Sequence, residues 1–440
     1  MLPALSEKPK LRLLTLCLLY VAQGLPWGFV TYTLAAWFAE QGMDKATLGA
    51  TLGITSLPWS FKFIGGPLID RFTVRSLGRR RPWILLAQGL MLLTVLAILA
   101  VPDLVVNIRV LVVLLFIHNV FAALQDVAVD ALAVDLLAES ERGTANGLMY
   151  GSKYLGGGLG GAGLSKVMAA TSLTSAILVQ GLILGVIFLF PLLLRERPGD
   201  RMFFGSAEPT PPPGGHPDLG EAPVAPDGDE VTLTTRELLR LLWRVFQLPS
   251  PALGALFTLV ATMSVGGLGV VATVFYVQEL GWESTAYSEF AGGPALLMGL
   301  FGAIAGGWLA DKVGRKPVVM GASIVLGLTW IGFSLAEPYW GNMVLLKGFL
   351  LAEPLFLSLM AGGLFALCMD LSLPAIAATQ FTAYMALSNF STSLGQMVVG
   401  AVGDIPYPTL FLGAGVLQIF VSLLVLPIDP LQARKTVKLG

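Results

Sequence analysis

Apolar residues occur along this chain in long, nearly uninterrupted stretches separated by short polar turns. A helix of about 20 apolar residues crosses the ~30 Å hydrocarbon core of a bilayer and satisfies its own backbone polar groups. The pattern therefore predicts membrane-spanning helices. The predicted segments are 12–39, 46–70, 83–101, 108–137, 143–169, 173–194, 251–278, 286–310, 317–336, 341–370, 374–402 and 408–428.

A segment of different composition, residues 195–250, separates the first six stretches from the last six. It is rich in Pro, Gly and acidic residues, which is typical of solvated, partly disordered linkers. Its last part, 234–247, carries Arg236, Arg240 and Arg244 at helical spacing and is predicted to form an amphipathic surface helix. We therefore predict an all-α integral membrane protein with twelve transmembrane helices in two six-helix bundles. The predicted domains are residues 1–194, the linker 195–250, and residues 251–440 with a short tail.

The composition agrees with lipid as the main solvent. The chain is 55% hydrophobic and only 12% charged, about half the charged fraction of a soluble domain. This excludes a water-soluble enzyme. The net charge of −1 and the absence of a basic arm give no reason to expect nucleic acid as a partner. With two cysteines and two histidines, the sequence predicts no disulfide framework, no metal site and no cofactor.

The distribution of Lys and Arg predicts the orientation. Most of the 27 basic residues fall on the side that holds both termini, the linker and the loops after the second and eighth stretches. The opposite side has only Lys45, Arg109 and Lys166. Because cytoplasmic loops carry the excess of Lys and Arg, we expect a multi-pass protein of the cell (inner) membrane with both termini and the linker in the cytoplasm. The first stretch is too long for a signal peptide and is predicted to be a span.

A short motif occurs in both halves of the chain. Gly66 to Arg71 with Gly78-Arg79-Arg80 ends the second stretch, and Gly307 to Lys312 with Gly314-Arg315-Lys316 ends the eighth. Asp70 and Asp311 are 241 positions apart, which indicates a duplicated transporter fold. An acidic residue beside lipid needs a partner, so we expect a gate, although basic loops that only anchor the topology are the alternative. The candidate gating residues are Asp70, Arg71, Arg79, Arg80, Glu139, Arg142, Asp311, Lys312, Arg315 and Lys316.

Three carboxyl groups lie deeper within the predicted spans. Asp126 and Asp130 are four residues apart on one helix face, where like charges repel and burial is costly. They must be protonated in part, paired with a cation or exposed to a water-filled cavity, and Lys153 is the expected partner. Glu353 lies near the middle of the tenth stretch and is a candidate proton carrier. The alternative for all three is a buried ion pair that fixes helix packing.

Several segments resemble a known family. The duplicated motif is similar to that of the major facilitator superfamily, and other segments resemble its muropeptide permease (AmpG-type) branch, which is related to the acetyl-coenzyme A transporters. These segments are Gln23-Gly24-Leu25-Pro26, Lys62-Phe63, Gly78-Arg79-Arg80-Arg81, Gln125-Asp126-Val127-Ala128-Val129-Asp130-Ala131, Glu141-Arg142-Gly143, Ala378-Thr379-Gln380-Phe381 and Ala386-Leu387-Ser388. The resemblance implies the major facilitator fold and proton-driven import of disaccharide or anhydro-muramyl peptides. It also implies Asp126, Asp130 and Gln380 as cavity residues.

We expect a monomeric secondary transporter that works by alternating access, with a small-molecule substrate, protons and the lipid bilayer as its partners. Lys153 is expected to attract an anionic group of the substrate. The candidate cavity residues are Gln23, Trp27, Tyr32, Asp126, Asp130, Lys153, Tyr154, Glu353, Gln380 and Tyr384.

Other functions remain open from the residues alone. A carrier of acetyl-coenzyme A or another organic anion would need several cations in the cavity, whereas the sequence offers chiefly Lys153 and Lys347. A non-transporting membrane sensor could share the fold. A membrane enzyme is not expected, because the chain has no His-Glu-x-x-His, no Gly-x-Ser-x-Gly and no clustered histidines.

Overall fold

The computed structural model describes residues 3–202, 235–403 and 405–437, and the part of the chain that it describes is built from helices. The first six are α1 (Pro9–Glu40), α2 (Lys45–Ser56, Leu57–Ile64 and Gly65–Arg71 in succession), α3 (Arg81–Ile98), α4 (Ile108–Leu136), α5 (Glu139–Gly158, Leu159–Gly163 and Leu164–Ala170 in succession) and α6 (Leu173–Leu193). A separate helix, α7 (Thr235–Phe246), follows.

The remaining helices are α8 (Pro249–Glu279), α9 (Ser284–Val313), α10 (Arg315–Leu335), α11 (Met343–Leu371), α12 (Ala377–Val398), α13 (Tyr407–Val425) and the short α14 (Gln432–Thr436). Each predicted segment coincides with a helix to within a few residues at its ends. The all-α membrane fold is therefore confirmed.

Among the described residues, nine helices are long and apolar enough to cross a membrane: α1, α3, α4, α6, α8, α9, α10, α11 and α13. The other three predicted spans, α2, α5 and α12, are helical but fall short of that standard. Pro58 lies in a 3₁₀ segment that interrupts α2, α5 is rich in glycine, and α12 carries many Ser, Thr and Gln side chains. These helices pack extensively on other helices, α5 on α1 and α12 on both α8 and α2. They therefore need less apolar character than a helix that faces lipid on most of its surface.

The same helix pairs form in both halves of the chain. In the first half α1 packs on α5, and α3 packs on α4 and α6. In the second half α8 packs on α12, and α10 packs on α11 and α13. The repeated pairing agrees with the repeated loop motif.

Glycines make the closest helix crossings possible. A Cβ atom at Gly156 of α5 would lie 2.5 Å from the carbonyl oxygen of Val21 in α1. The π-turns at Phe29–Leu34 and Leu159–Gly163 also meet, and Thr33 donates its hydroxyl to the carbonyl oxygens of Gly160 and Gly161. Several glycines of α5 are therefore explained by close packing, Gly156 and Gly160 against α1 and Gly161 against Gly292 of α9.

The beginning of the predicted linker is packed rather than solvated. Arg195 and Glu196 are buried, and a short β-bridge joins Ala4 to Arg195. Leu5 and Ser6 donate their backbone N–H groups to the carbonyl oxygens of Arg195 and Glu196. The Pro-rich part of the linker lies outside the described residues, and the predicted amphipathic helix is α7.

The crossing of α1 and α5 gives a first prediction. Gly156→Ala should lower the free energy of unfolding by about 1–3 kcal/mol, because the added methyl group must displace backbone. Thermal unfolding in detergent, followed by tryptophan fluorescence, measures the loss as a lower midpoint. Gly151→Ala in the same helix is the matched control, since a Cβ there meets nothing within 4 Å. Equal midpoints for the two variants would contradict the packing described for α5.

Candidate functional site

An ion pair lies inside the first six helices. The Nζ atom of Lys62 in α2 is 3.1 Å from Oδ2 of Asp126 in α4, and the Asp126 side chain is only 6% exposed. Lys62 is therefore the partner of Asp126, whereas the sequence suggested Lys153. The 3₁₀ segment Leu57–Ile64 brings Lys62 against α4, an arrangement that helical spacing alone does not predict.

Asp130 has a different environment one turn further along α4. Tyr20 of α1 donates its hydroxyl to Oδ1 of Asp130, and the Asp130 residue is exposed. No Lys or Arg forms an ion pair with Asp130 within the described ranges. The ring of Tyr150 in α5 contacts Tyr20 edge-on at a centroid distance of 5.9 Å. The two aspartates thus differ: one is buried and neutralised by a cation, and the other is exposed and accepts a hydrogen bond from a phenol.

Lys153 lies near the boundary between the two halves. Its Nζ atom is 4.8 Å from the ring centroid of Trp59, a cation–π arrangement. The Trp59 indole donates to Asn119 of α4, and the Trp59 carbonyl oxygen accepts from Asn389 of α12. Among the residues that the structure describes, no carboxylate lies at ion-pair distance from Lys153. Its ammonium group therefore lies next to a contact between α2 and α12 without a fixed counter-ion there.

A second group of the predicted residues lies where α1, α5 and α11 approach one another. Trp27 and Tyr32 contact edge-on at 6.0 Å, and Trp27 is 41% exposed. The Tyr154 hydroxyl lies beside Ser358 of α11. The carboxyl of Glu353, also in α11, lies beside the indole of Trp330 and forms no ion pair in the part of the chain described. The structure thus places Trp27, Tyr32, Tyr154 and Glu353 near the interface of the halves.

Three predicted cavity residues have local roles instead. Gln23 is buried and donates to Gln125 at 2.9 Å, and Gln125 in turn donates to Gln88 at 2.8 Å. Gln380 accepts from the backbone of Leu373 and donates to the carbonyl oxygen of Leu371, so it holds the turn between α11 and α12.

Tyr384 is also fully buried, and its hydroxyl donates to the carbonyl oxygen of Pro251. In this conformation the structure does not bring Gln23, Gln380 or Tyr384 to a solvent-accessible space, because these side chains are buried and hydrogen-bonded within the helix packing.

The first loop motif forms a charge cluster around Arg80. Arg80 donates from Nη1 to Asp70 at 2.6 Å and from Nε to Asp135 at the end of α4 at 2.8 Å. Arg79 makes a longer, exposed contact with Asp70 at 3.5 Å. Burial alone would lower the pKa of Arg80, but its hydrogen bonds to the two aspartates outweigh burial and raise the pKa. The guanidinium therefore stays charged and ties α2, α3 and α4 together.

Glu196 supports the same loop. Its carboxylate accepts the backbone N–H groups of Arg79 and Arg80, at 2.8 and 2.6 Å, and that of Arg81. Gly78 has a φ of 108°, and a Cβ there would lie 2.9 Å from the Glu196 carboxyl carbon. Burial raises the pKa of Glu196, and the three backbone donors act against that rise. A buried carboxylate thus satisfies the free N–H groups at the start of α3.

The second loop motif makes different contacts. Arg315 pairs with Asp370 at the end of α11, as Arg80 pairs with Asp135, but Asp311 is exposed and shows no ion pair in the described ranges. Lys312 lies over the Trp308 ring at 4.0 Å. Lys316 donates to the carbonyl oxygens of Leu426 and Ile428 at 2.8 and 2.7 Å. The repeated motif therefore anchors the end of α13 in the second half.

The remaining candidate gating residues make local contacts. Arg71 lies over the ring of Phe72, and Arg142 donates to the carbonyl oxygen of Val134. Glu139 begins α5, but its side chain lies outside what the structure describes. Among the described residues, every ion pair of the motif residues stays within its own half of the chain.

The halves are joined at the opposite end. Glu40 of α1 accepts the backbone N–H and the hydroxyl of Ser284 at the start of α9. Gln278 of α8 donates to the carbonyl oxygens of Ala39 and Met43. Lys166 and Glu289 add an exposed pair at 3.7 Å. The end away from the loop motifs is therefore held shut by contacts between the halves.

Sequence reasoning missed Lys62, Tyr20, Asp135, Asp370 and Glu196 as site residues. Asp135 and Asp370 carried a usable signal, because each lies one residue before the end of its helix, α4 in the first half and α11 in the second. Aligning the ends of these two helices would have identified both acidic residues as equivalent. Among the residues described, no group of His, Cys, Asp and Glu could hold a metal ion.

Comparison with known proteins decides the family. Residues 16–396 match the sequence family described as the Major Facilitator Superfamily. The chain belongs to that superfamily. It is a multi-pass membrane transporter, and the expected resemblance to the muropeptide permease branch is confirmed.

Individual relatives narrow the resemblance. The chain is 26% identical over 400 residues to the anhydromuropeptide permease of Escherichia coli K12, which covers 88% of this chain and 72% of that protein. The crystal structure of the nucleoside transporter NupG superposes with a TM-score of 0.68 at 15% identity, covering 94% and 98% of the two chains. The D-xylose-proton symporter gives 0.69 at 12% identity, covering 96% and 99%. The structural matches show the fold alone.

The support of the first loop motif gives a second prediction. Glu196→Ala should cost about 1–3 kcal/mol of stability, because buried backbone N–H groups lose their acceptor. Glu196→Gln should cost less, since its amide oxygen can still accept. The thermal unfolding midpoint in detergent measures both effects. Glu7→Ala, at an exposed carboxylate near the same end, is the control, and a Glu196→Ala midpoint as high as that of this control would rule out the capping role.

Proposed function

We propose that this transporter imports anhydromuropeptide-like fragments of the cell wall in symport with protons. The observation that carries the proposal is the unequal pair of aspartates on α4. Asp126 is paired with Lys62, whereas Asp130 accepts from the Tyr20 hydroxyl and is exposed. An exposed carboxyl group without a fixed cation is able to bind and release a proton when solvent reaches it. The 26% identity with an anhydromuropeptide permease supports the substrate class.

The proposed orientation follows from the basic residues. Both termini and the two loop motifs lie in the cytoplasm, and the membrane is the inner membrane. The contacts of Glu40 and Gln278 then close the periplasmic side, while the loop motifs make no ion pair across the halves within the described ranges. This arrangement supports an inward-facing state. Residues 1–194 and 251–440 would rock as two bundles of a monomer, and the clusters around Asp70 and Asp311 would rearrange when the cytoplasmic side closes.

The substrate would lie between the halves. Lys153 offers an ammonium group for a carboxylate of the peptide, and Trp27, Trp59 and Tyr32 offer ring surfaces for sugar. With Lys62 engaged by Asp126, Lys153 is the ammonium available to an anion there. One such cation suits a cargo with few negative charges better than a coenzyme A ester.

The proton role gives a third prediction. Asp130→Asn in proteoliposomes should reduce the accumulation of labelled anhydromuropeptide driven by a pH gradient by at least about tenfold. Counterflow with substrate on both sides should persist, because exchange needs no net proton movement. Asp126→Asn should impair both assays by leaving Lys62 buried without its partner.

The controls separate the carboxylates. Glu353→Gln tests the other candidate carrier, and Glu337→Gln, at an exposed site on the far end, should transport normally. Gradient-driven accumulation that survives in Asp130→Asn and fails in Glu353→Gln would move the proton site to α11. If the wild-type protein binds anhydromuropeptide but shows no counterflow, it is a sensor, and the proposal that it transports this substrate is wrong.

The role of Lys153 gives a fourth prediction. Lys153→Gln should raise KM for anhydromuropeptide roughly tenfold with little change in maximal counterflow, because a charge-assisted contact contributes about 1.5–3 kcal/mol. Lys347→Gln is the matched control, since Lys347 lies exposed over Phe290. Equal KM values for the two variants would remove Lys153 from the substrate site. A thermal-shift comparison of anhydromuropeptides, sugars and coenzyme A esters tests the substrate class independently.

A further inference from the structure

The helix α7 has two faces of different character. Leu241 and Val245 are buried against Leu373 and Ile376, between α11 and α12, and against Ala433 of α14. This inner face explains why α7 forms next to the second half of the chain. It does not explain the opposite face.

Large apolar residues lie on the opposite face together with arginines. Leu239 is 57% exposed and Trp243 is 68% exposed, and they lie one turn apart. Arg240 and Arg244 form a parallel row about 100° around the helix axis, and Arg236 is exposed on the same outer surface. Within the described residues, none of the three arginines forms an ion pair. The outer face therefore combines an apolar flank with a basic flank.

The position of α7 brings this face to the membrane surface. α7 ends at Phe246, three residues before the start of α8 at Pro249, and α8 is long and apolar enough to cross a membrane. Its inner face contacts the turn between α11 and α12, which also lies at a membrane boundary. An exposed Trp beside a row of Arg matches the bilayer interface, where the indole enters the headgroup layer and the guanidinium groups meet phosphates.

We propose that α7 is an interfacial helix that binds anionic lipid headgroups, with Leu239 and Trp243 inserted and Arg236, Arg240 and Arg244 on the phosphates. Through Leu373 and Ile376, and through the contact of Phe246 with Tyr384 at 5.2 Å, the bound lipid positions the beginning of α12. This lipid site is independent of the substrate and of proton coupling.

The test uses the full chain in lipid nanodiscs. Cys17 and Cys368, the two native cysteines, are replaced by Ser, and an environment-sensitive fluorophore is attached at Trp243→Cys. In nanodiscs containing phosphatidylglycerol, emission should shift to the blue and be quenched by lipids that carry spin labels near the headgroup. Glu237→Cys, on the edge of the basic flank, should stay accessible to aqueous quenchers and serves as the control.

Charge dependence completes the test. The ratio of membrane-bound α7 to α7 detached from the membrane should fall about fivefold for each arginine replaced, roughly 100-fold in the triple variant Arg236→Gln, Arg240→Gln and Arg244→Gln. A comparable fall is expected for the wild-type helix in nanodiscs of phosphatidylcholine alone. Hydrogen–deuterium exchange of the segment around α7 in the wild-type chain, without label or cysteine replacement, should show the same dependence on phosphatidylglycerol. A fluorophore at position 243 that is water-accessible in both bilayers, or exchange that is identical in both, would overturn the proposal.

Discussion

Charged groups inside a lipid-facing bundle need compensation, and this requirement organises the first half of the molecule. Asp126 and Lys62 neutralise each other between α4 and α2, and the pair leaves Asp130 to the Tyr20 hydroxyl. If Asp126 lacked a cation, two neighbouring carboxylates would compete for protons on one helix face. The ion pair therefore leaves Asp130 as the aspartate without a cation, and it sets where α2 and α4 meet.

The duplication is retained in the loop framework and lost in the interior. Arg80 with Asp135 and Arg315 with Asp370 repeat the same contact, 235 positions apart. The positions that correspond to Asp126 and Asp130 hold Ala361 and Phe365. The second half thus keeps the framework and lacks the charged pair, and its deep carboxyl, Glu353, corresponds to His118 of the first half. The first half supplies the buried ion pair, whereas both halves supply the Arg–Asp contacts of the loop framework.

The contacts that join the halves at the end away from the loop motifs are mostly hydrogen bonds, with one exposed ion pair between Lys166 and Glu289. Glu40 and Gln278 bond mainly to backbone groups and to the Ser284 hydroxyl, and the glycines of α5 and α9 allow close approach between the helices. The loop motif at the other end of the first half is internally satisfied, as the Asp70–Arg80–Asp135 cluster shows. The charged groups that join the halves, Glu40 and the Lys166–Glu289 pair, are exposed, so that end can open without leaving a charge buried and uncompensated.

The sequence by itself determined the helices, their approximate ends, the duplication and the family resemblance, because these depend on apolar length and on repeated local motifs. It also located Asp126, Asp130, Lys153 and Glu353 within spans. It did not determine which cation meets which carboxylate. Lys62 reaches Asp126 because a 3₁₀ segment turns α2, and Gln380 is held in a turn that no periodicity marks. Pairing between helices depends on their rotation and depth relative to one another, and tertiary packing alone sets these.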